Sequence, residues 1–356
     1  MGLKKINKKT VNIFKFKNRR TLFWVTFLTA ILLTASTYAW LSSALNVRIN
    51  FFQLSVSSNT GLFISLDGIE FSDSVNISMD SIIMDLKETY PDHVNQWSYG
   101  LWPVSSNGIL SPNNDKFDVF IGDLIRTRLR NPNDTTKKLL NVVKAEEKRA
   151  NASSYFVAFD IFLKNSSGSP NPDNLFFEEN TIIDYQEDTS EEIRQSMSNI
   201  MNSLRVGVLK IGSLPHNTPV KEIQNMKCNN SCEMVIYEPN TNIHTVDSIE
   251  AAENYGITLI DGIYVPTYGI IKEGKRLDHI NGHPGTGVPL DSEHFAIQNT
   301  VKDFSQPIFQ VPNAITKARV YIWLEGQDVD SLETYSKGTS LDIIINFIKD
   351  LAGYEV

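Results

Sequence analysis

The sequence predicts a mainly β protein, a β-sandwich of jelly-roll or Ig-like type with minor helices, preceded by one N-terminal transmembrane helix. Two observations support this prediction. Residues 21–41 carry no charge and are mostly apolar, and a helix of that length spans the roughly 30 Å hydrocarbon core of a bilayer. The rest of the chain contains many short segments in which apolar and polar residues alternate with period two, as they do in half-buried strands.

The segment before residue 21 is short and basic. It contains eight Lys or Arg residues and no Asp or Glu, and positive charge beside a first hydrophobic segment keeps that side in the cytoplasm. We therefore expect a basic cytoplasmic tail at residues 1–20, a transmembrane anchor or signal segment at residues 21–41, and an extracytoplasmic β-rich domain at residues 45–356. Thr37 and Ala39 have the small side chains and the spacing that a signal peptidase reads, so secretion after cleavage behind Ala39 is the alternative to a retained anchor.

The charge is divided unevenly along the chain. There are 33 basic and 41 acidic residues in total, and eight of the basic ones precede residue 21, so the exported part has 25 against 41, a net charge of −16. Nucleic-acid binding requires a basic surface. Nucleic acid is therefore excluded as a partner of the exported part, and the charge alone selects no other partner.

The first strand is predicted at residues 46–57. Its apolar residues alternate up to Phe51, and the alternation shifts by one position from Phe52, which indicates a strand with a bulge. A turn at residues 58–61 and renewed alternation at residues 62–66 then predict that the first two strands form a hairpin.

The stretch at residues 97–103 is aromatic and is expected to be an ordered loop. Its tryptophans, Trp97 and Trp102, could bind a sugar or a partner, although folding over the core is the more ordinary role of such residues. The charged stretch at residues 136–150 is interpreted as a short helix or a mobile excursion.

The middle of the chain gives clearer signals. Residues 154–164 are apolar on both faces apart from Asp160, which predicts a strand in the interior of a sheet. A Thr-x-x-Glu pattern precedes apolar residues at helical spacing, so an amphipathic helix is expected at residues 190–203. Strands are predicted after it at residues 205–211 and, as its partner, 233–237.

Cys228 and Cys232 are the two cysteines of the chain. The Asn-Asn pair between them favours a tight turn, and outside the cytoplasm we expect a disulfide that closes a hairpin tip. A metal site at this position would need further ligands, for which His216 and His244 are the near candidates in sequence, and it is the less favoured alternative.

A second group of histidines has the spacing of zinc ligands. His279 and His283 are four residues apart, with Asp278 and His294 near them. The glutamate that the zincin pattern requires directly after the first histidine is missing, and Gly and Pro surround the pair. An exposed loop is therefore the preferred interpretation of these residues.

The C-terminal region is predicted to form two strands, at residues 318–325 and 341–348. The acidic residues at the end of the first of these strands and in the turn after it, Glu325, Asp328 and Asp330, could hold calcium, but their spacing matches no known calcium loop and a solvated turn is expected instead. We predict no catalytic residue, no cofactor and no metal site.

The last strand and the strand at residues 46–57 are expected to belong to one core. In the last strand Ile343 and Ile345 should face inward, and Asn346 should face solvent or a sheet edge. This assignment follows from the alternation of apolar and polar residues alone.

Three pieces of the chain resemble a group of membrane-anchored surface proteins of Gram-positive bacteria. They are TYAWLSS with TGLFISLDG, RVGVLKI with MVIYEPN, and RVYIWLEGQD with the closing strand. The hydrophobic segment that ends in TYAW just before a strand is also similar to the export region of biofilm-fibre and camelysin-type proteins. The resemblance implies an exported β-sandwich and is compatible with assembly. It implies no site residue.

We therefore expect a structural or adhesive surface protein without enzymatic activity, whose sheet edges mediate association with itself or with other surface proteins. One alternative is a ligand-binding or sensory ectodomain for a glycan or peptide, with the aromatic residues 97–103 as its contact. The other is a hydrolase whose site the sequence does not reveal.

Overall fold

Strands dominate the described part of the chain. The computed structural model describes residues 48–57, 60–98, 100–104, 106, 108, 110–111, 116–117, 119–122, 142–144, 155–179, 181–185, 198–228, 232, 234–238, 244, 246, 268–271, 295–297, 300–301, 304–326, 328, 330 and 340–350. These residues belong to one compact unit, residues 45–356. The predicted tail and anchor lie outside the described residues, and so do His279, His283 and their neighbours. No helix among the described residues is long and apolar enough to cross a membrane.

The strands and helices have the following bounds. The strands are β1 Arg48–Val56, β2 Leu62–Ser65, β3 Ser74–Asn76, β4 Pro103–Val104, β5 Leu110–Ser111, β6 Lys116–Phe117, β7 Phe120–Gly122, β8 Val142–Lys144, β9 Phe156–Asn165, β10 Asp173–Phe177, β11 Ile182–Tyr185, β12 Leu204–Leu214, β13 Met234–Tyr237, β14 Tyr268–Ile271, β15 Phe295–Ile297, β16 Thr300–Val301, β17 Phe309–Val311, β18 Ile315–Glu325 and β19 Ser340–Asp350. The helices are Leu86–Thr89, which follows a π-helical turn at Asp80–Met84, Ser198–Ser203 and Val220–Gln224.

Most of the strands belong to two sheets. The first has the order β17-β10-β19-β1-β3, with β11 also paired to β19, and the second has the order β16-β13-β12-β18-β9-β2, with β4 also paired to β18. The pairs β14-β15, β5-β6 and β7-β8 are separate small ribbons. The prediction of a mainly β fold with minor helices is confirmed at this level for the described residues.

The main apolar core contains side chains from both sheets. Leu54 and Ile345 come from the first sheet, and Val206 and Val320 come from the second. Phe52 of β1 packs edge-to-face on Phe159 of β9, with 5.5 Å between the ring centroids. The core therefore lies between the sheets.

The first and last strands are neighbours. β1 pairs with β19 in parallel, with Leu54 opposite Ile345, and the register shifts between Ile49 and Phe51. The predicted bulge in the first strand is confirmed. Both strands contribute to the main core, and Ile343 and Ile345 are buried as expected.

The predicted N-terminal hairpin is wrong. β1 pairs with β19 and β3, whereas β2 pairs with β9 in the other sheet. The turn between them contains Gly61 at a φ of +76° and carries the chain from one sheet to the other. Both strands still bury their apolar faces in the same core, because alternation specifies the buried face of a strand but not its neighbour.

The expectation that Asn346 faces solvent or an edge is also wrong. Asn346 is buried, and its side-chain oxygen accepts a hydrogen bond from the Ser55 hydroxyl on β1. Its backbone N–H donates to Thr181 Oγ1 over 3.2 Å. β19 is paired with β1 and with β11 in the same sheet, so Asn346 is not at a sheet edge and its polar groups meet partners on these neighbours.

The predicted interior strand at residues 154–164 is confirmed as β9, which pairs with both β18 and β2. Every residue of β18 is buried. Its second face, with Tyr321 and Trp323, packs against Phe117 and Phe156 in a separate apolar cluster. The second sheet is therefore covered on both faces along these two strands.

The remaining predicted elements are found in part. The helix Ser198–Ser203 runs directly into β12, and residues 190–197, the start of the predicted helix, lie outside the described residues. β12 and β13 pair antiparallel as predicted. In the aromatic stretch Trp97 packs against the core, whereas Trp102 is 36% exposed. Of residues 136–150, the structure describes only β8.

Candidate functional site

The buried ionisable residues of the described chain form three clusters. One is centred on Asp160, one on Lys349 and one on Arg205. In each cluster a charged side chain joins elements that are distant in sequence. Because a buried charge is stable only when it is paired, these clusters fix the positions of the elements that supply the partners.

The Asp160 cluster lies on the covered outer face of the second sheet. Arg319 stands opposite Asp160 in the β9–β18 ladder, and Lys317 Nζ lies 3.4 Å from Asp160 Oδ2. The Tyr90 hydroxyl donates to the same oxygen over 2.7 Å. Burial by itself raises the pKa of Asp160, but the positive charges of Arg319 and Lys317 outweigh it and hold this pKa below its ordinary value.

The Lys349 cluster joins the two sheets. Lys349 of β19 donates to Asp173 Oδ2 of β10 over 2.8 Å and to Asn165 Oδ1 of β9 over 2.6 Å. Asn165 in turn donates to Asp173 Oδ2 over 2.9 Å and to the Val311 carbonyl of β17 over 3.0 Å. Four strands therefore meet at one sealed ion pair.

The third cluster is built around Arg205, the second residue of β12, which is fully buried. Its Nη2 donates to Glu238 Oε1 over 2.8 Å and also to Asp328 Oδ2. Its Nη1 donates to the carbonyl of Asn202 over 2.8 Å. Arg205 thus connects the end of helix Ser198–Ser203, the end of β13 and the turn that follows β18.

His244 and Asp330 extend this cluster. His244 Nδ1 lies 2.6 Å from Asp330 Oδ2, and the Asp330 backbone N–H donates to Asp328 Oδ1 over 2.8 Å. Asn202 Nδ2 donates to Asp330 Oδ2 over 3.3 Å. The ligand atoms of His244, Asp328 and Asp330 all lie within 4.8 Å of one another, which is the arrangement of a candidate metal centre.

The expected solvated turn after β18 is wrong. Glu325 is 0% exposed, Asp328 5% and Asp330 0%. Glu325 Oε2 accepts from Trp323 Nε1 over 3.1 Å and from the Ser106 backbone N–H over 3.4 Å. The turn is buried because Arg205, 123 residues away from Asp328, supplies the counter-charge, and sequence spacing around the turn does not reveal such a partner.

Two residues of this cluster, Asp328 and His244, have raised pKa values. Burial raises the pKa of Asp328 to about 6, and the charges of Glu238 and Asp330 add to this effect, so that the opposing influence of Arg205 is outweighed. For His244, burial lowers the pKa, but the hydrogen bond with Asp330 and the charges of the surrounding carboxylates raise it more, and the net shift is upward. Both shifts favour proton uptake by the folded protein.

Of the residues weighed in the sequence as ligands, Asp328 and Asp330 lie together with His244, whereas the two cysteines and His216 do not join them. Cys228 and Cys232 are bonded to each other, with 5.8 Å between their Cα atoms. His216 is exposed and lies 3.4 Å from Asn313 Oδ1, and His244 belongs to the Arg205 cluster. His244 lies in a polar stretch without periodicity, so no signal in the sequence pointed to its pairing with Asp330.

Fold and site define a mainly β protein with two principal sheets, three sealed charge clusters and one candidate metal centre among its described residues. No family model matches the chain, and neither a curated protein nor a solved structure is significantly similar to it.

Proposed function

We propose that this chain is a surface protein without enzymatic activity that has a structural or adhesive role outside the cell. In this proposal residues 21–41 anchor it in the membrane as a single pass with the N-terminus in the cytoplasm, and cleavage after Ala39 would release it. The exported part is a β-sandwich of jelly-roll or Ig-like type. The two sheets and their shared core support this architecture.

The observation that carries the proposal is the parallel pairing of β1 with β19, which extends from Arg48 opposite Ser340 to Val56 opposite Phe347. The anchor precedes β1. A force between the anchor and the C-terminal end of β19 would therefore shear this ladder and load its hydrogen bonds together. Such an arrangement suits a protein that carries load between the cell and a partner.

The buried charge clusters support the same role. Asp160, Arg205 and Asp173 are all sealed from solvent, and each is used to join strands or loops. Because removing one partner of a buried pair is strongly destabilising, these groups hold the joined elements in place.

The lengths of the edge strands indicate which kind of surface would mediate association. The edge strands β2, β3, β16 and β17 are two to four residues long, and short edges offer little template to another chain. We therefore place association on side-chain surfaces, not on the sheet edges that the sequence had suggested.

The test is association and adhesion. Light scattering on fragment 45–356 should show concentration-dependent oligomers or fibres, and cells that display the full chain should resist detachment by flow better than cells that lack it. A fragment that stays monomeric, together with unchanged detachment, would overturn the proposal. Turnover of a compound in a hydrolase substrate panel would overturn it in favour of an enzyme.

Force spectroscopy tests the load-bearing arrangement directly. Fragment 45–356 pulled through its two termini should unfold at a force at least about twice that needed when the second handle is moved to Ser340, because the second geometry opens the parallel ladder one bond at a time. Equal forces would remove the observation on which the proposal rests.

A second candidate function is ligand binding by the aromatic stretch. Trp102 is 36% exposed beside the short strand β4, and an accessible indole is suited to stacking on a sugar or a peptide side chain. Trp102→Ala should then abolish any hit on a glycan or peptide array. Val94→Ala, which trims an exposed apolar residue outside the stretch, should leave it intact.

A further inference from the structure

We propose that His244, Asp328 and Asp330 bind a divalent transition-metal ion of the Zn²⁺ class, and that the ion fastens the segment around His244 to the turn after β18. This goes beyond the structural role proposed above and does not depend on it. The site would be structural, because all three side chains are enclosed by the fold.

The geometry is close to that of a coordination sphere. Zinc binds imidazole nitrogen and carboxylate oxygen at about 2.0–2.2 Å, which puts neighbouring ligand atoms about 3–3.5 Å apart. The three ligand atoms here already lie within 4.8 Å of one another. The contact between His244 Nδ1 and Asp330 Oδ2, at 2.6 Å, would need to widen by less than about 1 Å.

The charge of the cluster favours a cation. Four buried carboxylates, those of Glu238, Glu325, Asp328 and Asp330, surround one guanidinium, that of Arg205. Carboxylates this close to one another repel, and a cation among them relieves that repulsion. The two aspartates and His244 present their ligand atoms to one another in this group, so a divalent ion has donors on more than one side.

The environment of the His244 imidazole is a second observation, independent of the distances between the ligand atoms. The His244 side chain is 2% exposed and directed at Asp330, yet its Nε2 has no hydrogen-bond partner in the part of the chain that the structure describes. Buried polar atoms are generally paired, so hydrogen bonding on both nitrogens does not account for the burial of this ring. The nitrogen that faces Asp330 is Nδ1, so an ion between the histidine and the two aspartates would bind Nδ1, and Nε2 would carry the proton of the neutral ring.

The types of donor atom, one imidazole nitrogen and two carboxylates, indicate which metal ion the site would bind. Calcium takes six to eight oxygen ligands and magnesium keeps several waters, whereas imidazole together with carboxylate suits zinc and its neighbours. Glu325, the third residue of the calcium set weighed in the sequence, points instead to Trp323 Nε1 and the Ser106 N–H. The group of ligands therefore contains an imidazole nitrogen in place of a third carboxylate, and calcium prefers a site made of oxygen ligands.

The experiment uses the full chain in detergent, treated with chelator and then titrated with Zn²⁺. Calorimetry should give one ion per chain, and a hundredfold excess over Kd should raise Tm by about 5 °C or more. Ca²⁺ and Mg²⁺ should do neither. X-ray absorption of the zinc-loaded chain should show one imidazole with oxygen donors and no sulfur.

The matched variants are His244→Gln and His216→Gln. The first removes the proposed ligand and should weaken Zn²⁺ binding at least about a hundredfold, whereas the second alters an exposed histidine and should not change it. If His244→Gln does not fold, the absorption spectrum of the wild-type chain still decides the question. Sulfur ligation, binding that survives His244→Gln, or no stoichiometric binding would each overturn the proposal.

Discussion

Arg319 Nε donates a hydrogen bond to Asp160 Oδ1 over 2.7 Å between two residues that stand directly opposite each other on β18 and β9. The pair lies on the outer face of the second sheet, where Tyr90 and Lys317 complete its bonding. A charged pair at the middle of two long strands therefore holds a covering segment on the sheet, and this relationship leads to the first prediction.

Asp160→Ala should destabilise the fold by about 3–5 kcal/mol, because it leaves Arg319 and Lys317 buried without their counter-charge. Chemical unfolding of fragment 45–356 measures this loss. Asp73→Ala, at an exposed position just before β3, is the control and should change the free energy of unfolding by no more than about 0.5 kcal/mol. Equal midpoints for both variants would contradict the assigned role of Asp160.

The stability of chelator-treated protein should fall as pH rises from about 4 towards 7. The pKa of Asp328 is about 6 in the fold against an ordinary 3.8, so the folded state keeps a proton that the unfolded chain loses, and stability declines between these values. The pKa of His244 is also raised, and its contribution, full below about 6.5, is lost as pH rises through the folded value.

Asp328→Asn is the variant that isolates this effect. Between pH 4 and 6 its free energy of unfolding should vary less than that of the wild type, by on the order of 2–3 kcal/mol, given the shift from 3.8 to about 6. Asp160 acts in the opposite direction, because its pKa is lowered and its contribution is lost only as pH falls below about 3.8. Parallel pH profiles for variant and wild type would rule out the raised pKa of Asp328.

Ile345→Asp should unfold the compact unit at residues 45–356. The residue is buried between the sheets opposite Leu54 of β1, and an unpaired charge there costs several kcal/mol, comparable to the stability of a whole domain. Asp350→Asn, at the exposed end of the same strand, should melt like the wild type. Deletion of residues 339–356 should leave no soluble folded fragment, and a folded truncation product would show that β19 is dispensable.

The two cysteines of the folded protein should resist alkylation until a reductant is added, because each sulfur is bonded to the other. Replacing both Cys228 and Cys232 with Ser should cost about 2 kcal/mol, the entropy associated with so short a loop. Mass spectrometry after alkylation provides the measurement. Labelling of either residue without reductant would contradict the disulfide.

The topology is tested by protease added to intact cells. The basic run before residue 21 should keep that end inside, so residues beyond 41 should be digested and the first twenty spared. An antibody tag at each end of the chain reports the outcome. A protected body would refute the export of this domain.

Several elements were predictable because their signal is local. The alternation of side chains across a strand is visible in a single segment, so the sequence already indicated β1 with its bulge, the doubly apolar β9, and β18 and β19. Burial of Ile343 and Ile345 followed from the same alternation. These features depend on residues next to one another in the chain.

What the sequence by itself determined, then, is which segments are strands and which of their faces carry apolar side chains. The tertiary structure decided which strands are neighbours: it separated β1 from β2, and it buried Asn346 in hydrogen-bonding contact with Ser55 and Thr181. It also decided which charged side chains are buried and which partners they have. Asp330 meets His244 across 86 residues of sequence, and a buried charge depends on partners that come together only when the chain is folded.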